Sequence, residues 1–410
     1  MSESTPTLAP DGPVDAAPAP PRARSRAALL KRLADIVSLP SSRVNTFERS
    51  VTADLLVDIL GDADPAERAK VARRLAALAD IPYGLLRLIL RDEIDVAAPL
   101  LEESAQLSDC ALLDCIRSAS PAHRRLIAQR KGVGEVISEA LVARGEVPVI
   151  EVLLRNAQAR LSHTAIEVVV VMTRESPHLA GPLLRRPELR PSHAYVLFWW
   201  ADADARRTIL QRFAVSREIM QDAAADVFPL AAAEGWSDEL SRKALQFIER
   251  RQRNRTAIEK SPFASLEDAV IAAEAGMTRE LAEEIAYLSG IKPMTGAKII
   301  SDRGGEPLAI LCKATGLTRA AVRSLWKSLR RPETGEDGQV SPDLERVLTT
   351  FDMIAVDRAQ TVLRYWNWSL SSAMTPGLLK AIRDKNESGF EDLSTPQRAA
   401  MLAFSSDLAR

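Results

Sequence analysis

Histidine and cysteine, the residues that most often act as bases, nucleophiles and metal ligands, are scarce in this chain. Its 410 residues include four histidines and three cysteines. A Ser-His-Asp or Cys-His site needs a nucleophile and a base within hydrogen-bonding reach, and the sequence has no G-x-S-x-G or H-E-x-x-H motif. We interpret the histidines as turn or capping residues, and we predict no enzyme activity, no metal site and no cofactor. They lie at the starts of predicted helices or at the joints between them: His123, His163, His178 and His193.

The glycine-rich segments do not have the pattern of a phosphate-binding loop. A P-loop reads G-x-x-x-x-G-K-[ST], so that backbone amides and a lysine surround the phosphates. The segment from Gly290 to Ile299 has five residues between its glycines instead of four, and Ala297 separates Gly296 from Lys298. We interpret this segment as a turn between helices.

One segment, at 309–331, has the pattern of a DNA-binding helix-turn-helix. It combines a small residue at Cys312, a turn at Gly316 and a second helix with apolar Val322 and Leu325. A basic face on that second helix is what reading a major groove requires. An ordinary helix pair with a solvated face is the alternative, and we favour it because the segment lies in register with the repeats described next. At 100° per residue, its basic residues share about one third of the circumference: Arg319, Arg323, Lys327, Arg330 and Arg331.

A repeat of helix pairs runs through most of the chain. Because one short helix pair cannot bury its own apolar stripe, such units stack and bury a continuous core. Each repeat-end residue is followed five to seven residues later by another apolar residue and a second helical stretch, and prolines mark many of the joints. The pattern predicts an all-α fold, an α-solenoid of about eight helix-pair repeats. The repeat-end residues recur every 26 to 30 positions: Leu75, Leu101, Ile127, Leu154, Leu184 and Leu210.

Aromatic residues near the C-terminus form a second candidate contact surface. Tyr365, Trp366 and Trp368 lie close together on a predicted helix, and large amphipathic side chains often dominate protein interfaces. Packing within a helical core is the alternative, and it is the commoner role of such residues on helices. Two basic runs, Arg22–Arg32 and Ser241–Lys260, are either solvated helix faces or contacts for an acidic partner or anionic lipid.

Charge and hydropathy narrow the class of protein further. The chain has 54 Lys+Arg and 55 Asp+Glu, a net charge of −1, so it is not globally basic. Three cysteines do not make a disulfide framework. The Pro/Ala-rich start lacks the order of a secretory signal, and no stretch approaches the ~18 uncharged apolar residues of a membrane span. We expect a cytoplasmic protein.

These patterns divide the chain into predicted segments. Within the last segment we expect one long amphipathic helix over Leu344–Leu370 and a final helical piece from about Pro376. The segments are a disordered Pro/Ala-rich tail at 1–25, solenoid repeats at 26–260, further helix-pair repeats with the helix-turn-helix-like segment at 261–332, an acidic linker at 333–342 and a helical C-terminal extension at 343–410.

Four stretches of the sequence resemble a bacterial family catalogued as domain of unknown function 2336. They read VARRLAALADIPYGLLRLILRDEIDVAAPLL, LVARGEVPVIEVLLRNAQARLS, PLLRRPELRP and GEPLAILCKATGLTRAAV. The resemblance covers about Val71 to Arg331. It implies an all-helical, HEAT-like solenoid and no catalytic residues.

From fold-level analogy we expect a non-enzymatic scaffold or adaptor that binds an unknown protein or peptide, because helical stacks expose long continuous surfaces. The alternative is a DNA-binding regulator that uses the segment 309–331. The candidate contact residues are Arg319, Arg323, Lys327, Arg330, Tyr365, Trp366 and Trp368.

Overall fold

The computed structural model is all-α, as predicted. It describes residues 21–40, 42–78, 80–104, 107–214, 257–335 and 338–372. Within those ranges the only β-type pairing is an isolated bridge between Thr334 and Val340. No helix in the described ranges is both long enough and apolar enough to cross a bilayer. The chain divides into two compact units, Met1–Leu161 and Ser162–Arg410.

Helices of the first unit stack in two rows. Each odd-numbered helix from α1 to α7 packs on the next odd-numbered one, and α2, α4, α6 and α8 pack in the same way. Alternate helices are thus in contact along the described part of this unit. The described part of the unit contains α1 (Pro21–Val37), α2 (Thr46–Leu60), α3 (Pro65–Ala76), α4 (Tyr83–Leu90), α5 (Ile94–Glu103), α6 (Asp109–Ser118), α7 (Pro121–Gln129), α8 (Glu135–Val142) and α9 (Val147–Arg155).

Local sequence signals set where these helices begin. Asn45 accepts a hydrogen bond from the backbone of Glu48, whose side chain accepts one from the backbone of Asn45, and this capping box starts α2. Prolines occupy the first turn of α3, α7 and α9, where their missing N–H costs nothing. Prolines at these three predicted joints therefore begin helices.

All six repeat-end residues are buried, none more than 4% exposed. Polar side chains that follow them bind the preceding repeat. Asn156 donates from Nδ2 to the carbonyls of Ala128 and Arg130, at 2.9 and 2.7 Å. Arg130 donates in turn to the carbonyls of Leu101 and Ser104. These bonds satisfy carbonyls that a helix end leaves without partners.

Ion pairs also join successive repeats of the odd-numbered row. Arg68 of α3 donates two hydrogen bonds to Asp92 before α5, at 2.6 and 2.8 Å. Arg124 of α7 pairs with Glu146 before α9 in the same way, at 2.7 and 2.6 Å. Hydrogen bonds to these carboxylates raise the pKa of both arginines. Each pair fixes the start of one helix against the helix before it in the row.

Helix α17 lies at the centre of the second unit, with residues 306–312 all buried. It packs on α16, α18, α19 and α20. The described helices of this unit are α10 (His163–Met172), α11 (Ala180–Leu184), α12 (Pro191–Leu197), α13 (Ala203–Phe213), α14 (Leu266–Ala272), α15 (Arg279–Leu288), α16 (Pro293–Ser301), α17 (Glu306–Thr315), α18 (Arg319–Ser328), α19 (Pro342–Met353) and α20 (Val356–Ser372), with 3₁₀ turns at Pro177–Leu179 and Ala273–Ala275.

Several predicted boundaries differ from the observed ones. Helix α1 begins at Pro21, inside the segment predicted as a disordered tail. The predicted long helix over 344–370 is two helices, because Ile354 is extended (φ −84°, ψ 132°) and buried. In the predicted acidic linker, Ser341 donates from its backbone to the carbonyl of Glu333.

The division into units falls at 161/162, within the segment predicted as one run of solenoid repeats. Two sequence features lie outside the described residues. They are the final helical piece predicted from Pro376 and most of the basic run Ser241–Lys260.

Candidate functional site

Helices α17 and α18 form the helix, glycine turn and second helix that the sequence predicts. Gly316 ends α17 in the left-handed conformation (φ 84°), where glycine carries no steric penalty. The Thr318 side chain accepts a hydrogen bond from the backbone of Ala321 and so caps α18. Val322, Leu325 and Trp326 are buried. The inner side of α18 is therefore fixed in the core of the second unit.

The basic residues of α18 do not form one uniform surface. Lys327 and Arg330 are exposed, and Arg323 is half-buried. Arg319, 49% exposed, pairs with Asp352 of α19 at 3.2 Å. Arg331 leaves the face: its guanidinium lies over the ring of Trp326, and burial lowers its pKa. Arg323, Lys327 and Arg330 thus stay on the face with no ion pair to an acid in the described contacts.

Two carboxylates from neighbouring elements border this face. Ser324 of α18 donates from Oγ to Oε1 of Glu274, at 2.5 Å. Asp352 is 56% exposed beside Arg319. Because a nucleic-acid backbone carries one negative charge per phosphate, exposed carboxylates at the border of a basic face oppose its approach.

Tyr365 and Trp366 lie in the core of the second unit. Tyr365 is 4% exposed and Trp366 is fully buried. The Tyr365 hydroxyl donates to the carbonyl of Ser192 at 3.3 Å. The Trp366 ring packs on Phe198 and Trp199, with centroid distances of 5.1 and 4.8 Å. This placement agrees with the packing alternative and removes both side chains from the accessible surface.

The third aromatic candidate, Trp368, belongs to α20, and its side chain lies outside the described residues.

A buried charge cluster joins α13 to the turn between α16 and α17 and to α17 itself. Arg206 donates two hydrogen bonds to Asp302 and one to Glu306, all 2.8 Å long. Arg346 of α19 donates to the other oxygen of Glu306, at 3.0 Å. Burial alone would lower the pKa of Arg206, but Asp302 and Glu306 raise it above its ordinary value. A Cβ at Gly304 would collide with Arg206 and Glu306, so the cluster requires glycine there.

A cluster of metal-ligating side chains also lies in the second unit. His163 and Glu167 of α10 and His193 of α12 place their nearest nitrogen and oxygen atoms within 4.8 Å of one another. This cluster was not predicted from the sequence. The spacing of His163 and Glu167, one helical turn apart, was the visible signal. Only the packing of α12 on α10 brings His193, thirty residues further on, to the pair.

An exposed apolar stripe runs along α2 in the first unit. Phe47 is 77% exposed, Val51 42% and Leu55 50%. They are spaced four residues apart, so they share one face of the helix. This stripe was not predicted from the sequence either, because an apolar helix face ordinarily packs in the core. Three exposed acids of α2 accompany it: Glu48, Asp54 and Asp58.

Comparison with protein-family models gives one assignment. The model described as an uncharacterised protein conserved in bacteria (DUF2336) matches residues 96–364, more than half of the chain. Comparisons with curated proteins and with solved structures give no significant match. The match covers helices of both units, including α17 and α18. The chain therefore belongs to the DUF2336 family of bacteria, as the sequence resemblance implied.

Proposed function

We propose that this protein is a non-enzymatic, cytoplasmic interaction scaffold whose first unit binds an amphipathic helix of a partner protein. The α2 stripe, defined by Phe47, Val51 and Leu55, carries the proposal. Exposed apolar side chains in a contiguous row mark interaction surfaces more often than isolated ones do. The three residues span two helical turns, about 12 Å at 1.5 Å per residue.

The spacing of the α2 stripe favours a helical ligand. An amphipathic helix that lies along another helix presents apolar residues at i, i+3 or i+4, and i+7. Phe47, as the largest and most exposed member, supplies the aromatic group that typically dominates the binding energy of an interface. The stripe can thus bind the apolar face of a partner helix over a length of about two helical turns.

Charge beside the stripe favours a basic ligand. Glu48, Asp54 and Asp58 are exposed on α2, while Arg49 uses its guanidinium to donate to the carbonyl of Leu39. Lysine or arginine at the border of the partner helix would complement these acids. Such border charges chiefly increase the rate of association and its dependence on salt.

Affinity capture with matched variants tests this proposal. The tagged protein is used to capture partners from a lysate of its own host, divided into nuclease-treated and untreated halves. We expect one partner protein from both halves, its loss with the double variant Phe47→Ser/Leu55→Ser, and its retention with Val136→Ser. Val136 is 58% exposed on α8, so it controls for the removal of exposed apolar surface elsewhere in the unit.

The decisive follow-up uses the captured partner's own helix. A synthetic peptide of its most basic amphipathic segment should bind the wild-type protein and bind the double variant at least ~10-fold more weakly, as expected for loss of interface anchors. Equal binding by wild type and double variant would contradict the α2 assignment.

The second candidate function is DNA binding through α18. Exposed Lys327 and Arg330, which follow a glycine turn, favour it, and bordering Glu274 and Asp352 weigh against it. DNA binding would weaken steeply with salt, in proportion to the phosphates contacted, and Arg323→Glu/Lys327→Glu would abolish it without loss of helicity. Partners recovered only from the untreated lysate would favour this function over the scaffold.

A further inference from the structure

We propose that His163, Glu167 and His193 bind one divalent transition-metal ion of the zinc class. All three residues lie in the second unit, and α2 lies in the first. The proposal therefore concerns a different site from the α2 stripe and stands independently of the scaffold function. Among the described residues, these are the ones whose His, Cys, Asp or Glu ligand atoms converge in a group of three.

The distances between ligand atoms fit a single ion after small side-chain rotations. Nε2 of His163 and Nε2 of His193 each lie 3.9 Å from Oε1 of Glu167. Metal–ligand bonds of about 2.0–2.1 Å in a tetrahedral zinc site place neighbouring ligand atoms ~3.4 Å apart. The two nitrogen–oxygen distances therefore need to shorten by about half an ångström, and the remaining distance between ligand atoms, which is within 4.8 Å, by at most about 1.4 Å. The two imidazole rings lie side by side, with centroids 4.7 Å apart and planes tilted by 47°.

An independent observation points to a ligand at this position. His193 is 4% exposed, and neither of its ring nitrogens has a hydrogen-bond partner. Buried polar atoms in folded proteins are ordinarily paired, and each exception requires an explanation. Nε2 of His193 is the ring nitrogen that faces Glu167. A metal ion bound there would give this buried polar atom a partner.

The donor set indicates the class of metal. Two imidazoles and one carboxylate suit Zn²⁺ and its neighbours in the transition series, whereas Mg²⁺ and Ca²⁺ prefer oxygen ligands alone. Three protein ligands leave a fourth position of a tetrahedral ion for water or for a group of another molecule. His163 is 38% exposed at its side chain, so this position can be reached from solvent.

A metal titration with matched histidine variants tests the proposal. The full chain carries Cys110→Ser, because Cys110 is an exposed thiol that could bind metal by itself, and is first freed of metal with a chelator. At pH 7.5, where an unperturbed imidazole is mostly neutral, Zn²⁺ is titrated by calorimetry. We expect one equivalent to bind. We also expect Co²⁺ to give the visible absorption bands of a four- or five-coordinate site.

Each ligand variant should weaken Zn²⁺ binding at least ~10-fold, since even second-shell changes at zinc sites cost 10–100-fold. The variants are His163→Ala, Glu167→Gln and His193→Gln. The control is His178→Ala, which removes an exposed histidine of the same unit outside the cluster and should bind Zn²⁺ as the parent does.

His163→Ala is the most informative variant, because His163 is exposed and its removal leaves the Ser162 cap of α10 in place. Circular dichroism should show parental helicity for it, and Zn²⁺ should raise the melting temperature of the parent and of His178→Ala but not of His163→Ala. The absence of stoichiometric Zn²⁺ binding by the parent would overturn the proposal. Undiminished binding by His163→Ala, or a loss of binding by His178→Ala equal to that of His163→Ala, would also overturn it.

Discussion

The three cysteines differ in reactivity because two of them are buried and one is exposed. Burial raises the pKa of Cys115 to about 11 and that of Cys312 to about 12. Both then act as small apolar core residues, the role that the composition indicates for cysteines that form no disulfide. Cys110, five positions before Cys115, is exposed. Helical geometry predicts that these two residues lie on different faces, but not which of the faces is outside.

This difference predicts selective alkylation of the thiols. With iodoacetamide at pH 8, only Cys110 of the native protein should react, because thiolate is the reactive species and is both scarce and inaccessible at Cys115 and Cys312. Mass spectrometry should find one adduct in buffer and three in denaturant. Labelling of Cys312 in the native protein would contradict the burial of α17.

The same thiols should make the protein less stable in alkali. In the unfolded chain a thiol ionises near pH ~8.5, whereas in the fold it stays protonated to about pH 11 or 12 at Cys115 and Cys312. The stabilisation that comes from burying these two side chains as neutral thiols is therefore complete below about pH 8.5, and it is lost as the pH rises towards 12. The alanine variant of Cys312 should show a smaller fall in the free energy of unfolding between pH 8 and 10.

At the scale of elements, the buried charge cluster sets the position of α13 against α17. Replacing Arg206 by Leu removes the ion-pair partner of buried Asp302 and leaves buried Glu306 with Arg346 alone, which should cost ~3–5 kcal/mol of unfolding free energy. Urea denaturation measures this change. Arg319→Ala is the matched control, because it breaks a half-exposed pair with Asp352 that should contribute only ~0–1 kcal/mol. Equal losses for the two variants would contradict the burial of the cluster.

Elements with local signals could be predicted from the sequence, and those that depend on packing could not. The turn at Gly316 was predictable because a left-handed residue there favours glycine. The break between α19 and α20 could not be predicted. Apolar residues continue through Ile354, and a single extended residue does not change the helical spacing of the apolar residues around it. Arg206 and Asp302 also give no local signal, since they are 96 positions apart.

At the scale of the whole molecule, the repeat predicts which leucines carry the core. Leu101→Ala and Leu154→Ala should each lower the free energy of unfolding by ~2–5 kcal/mol, since they remove buried side chains and leave cavities. Val136→Ala, at an exposed site of the same unit, should change it by less than ~0.5 kcal/mol. Denaturant titration gives all three values, and a small effect of Leu101→Ala would contradict the repeat register.

The period of the repeat predicts that neighbouring helix pairs stack on one another. It does not predict the division at 161/162 or the candidate sites. The His163–Glu167–His193 cluster depends on which helices meet, and the α2 stripe depends on which apolar face stays uncovered. Both are properties of the assembled chain rather than of its period.

The second unit is held together by contacts between distant parts of the chain. Arg206 meets Asp302 across 96 positions, and Tyr365 meets Ser192 across 173. Closing loops of this length costs an entropy that grows only with the logarithm of their size. In the described part of this unit, residues of 162–214 thus pair with residues of 257–372. Covalent connection of the two stretches gives each a high effective concentration at the other, so pairs this far apart in sequence can form without a second molecule.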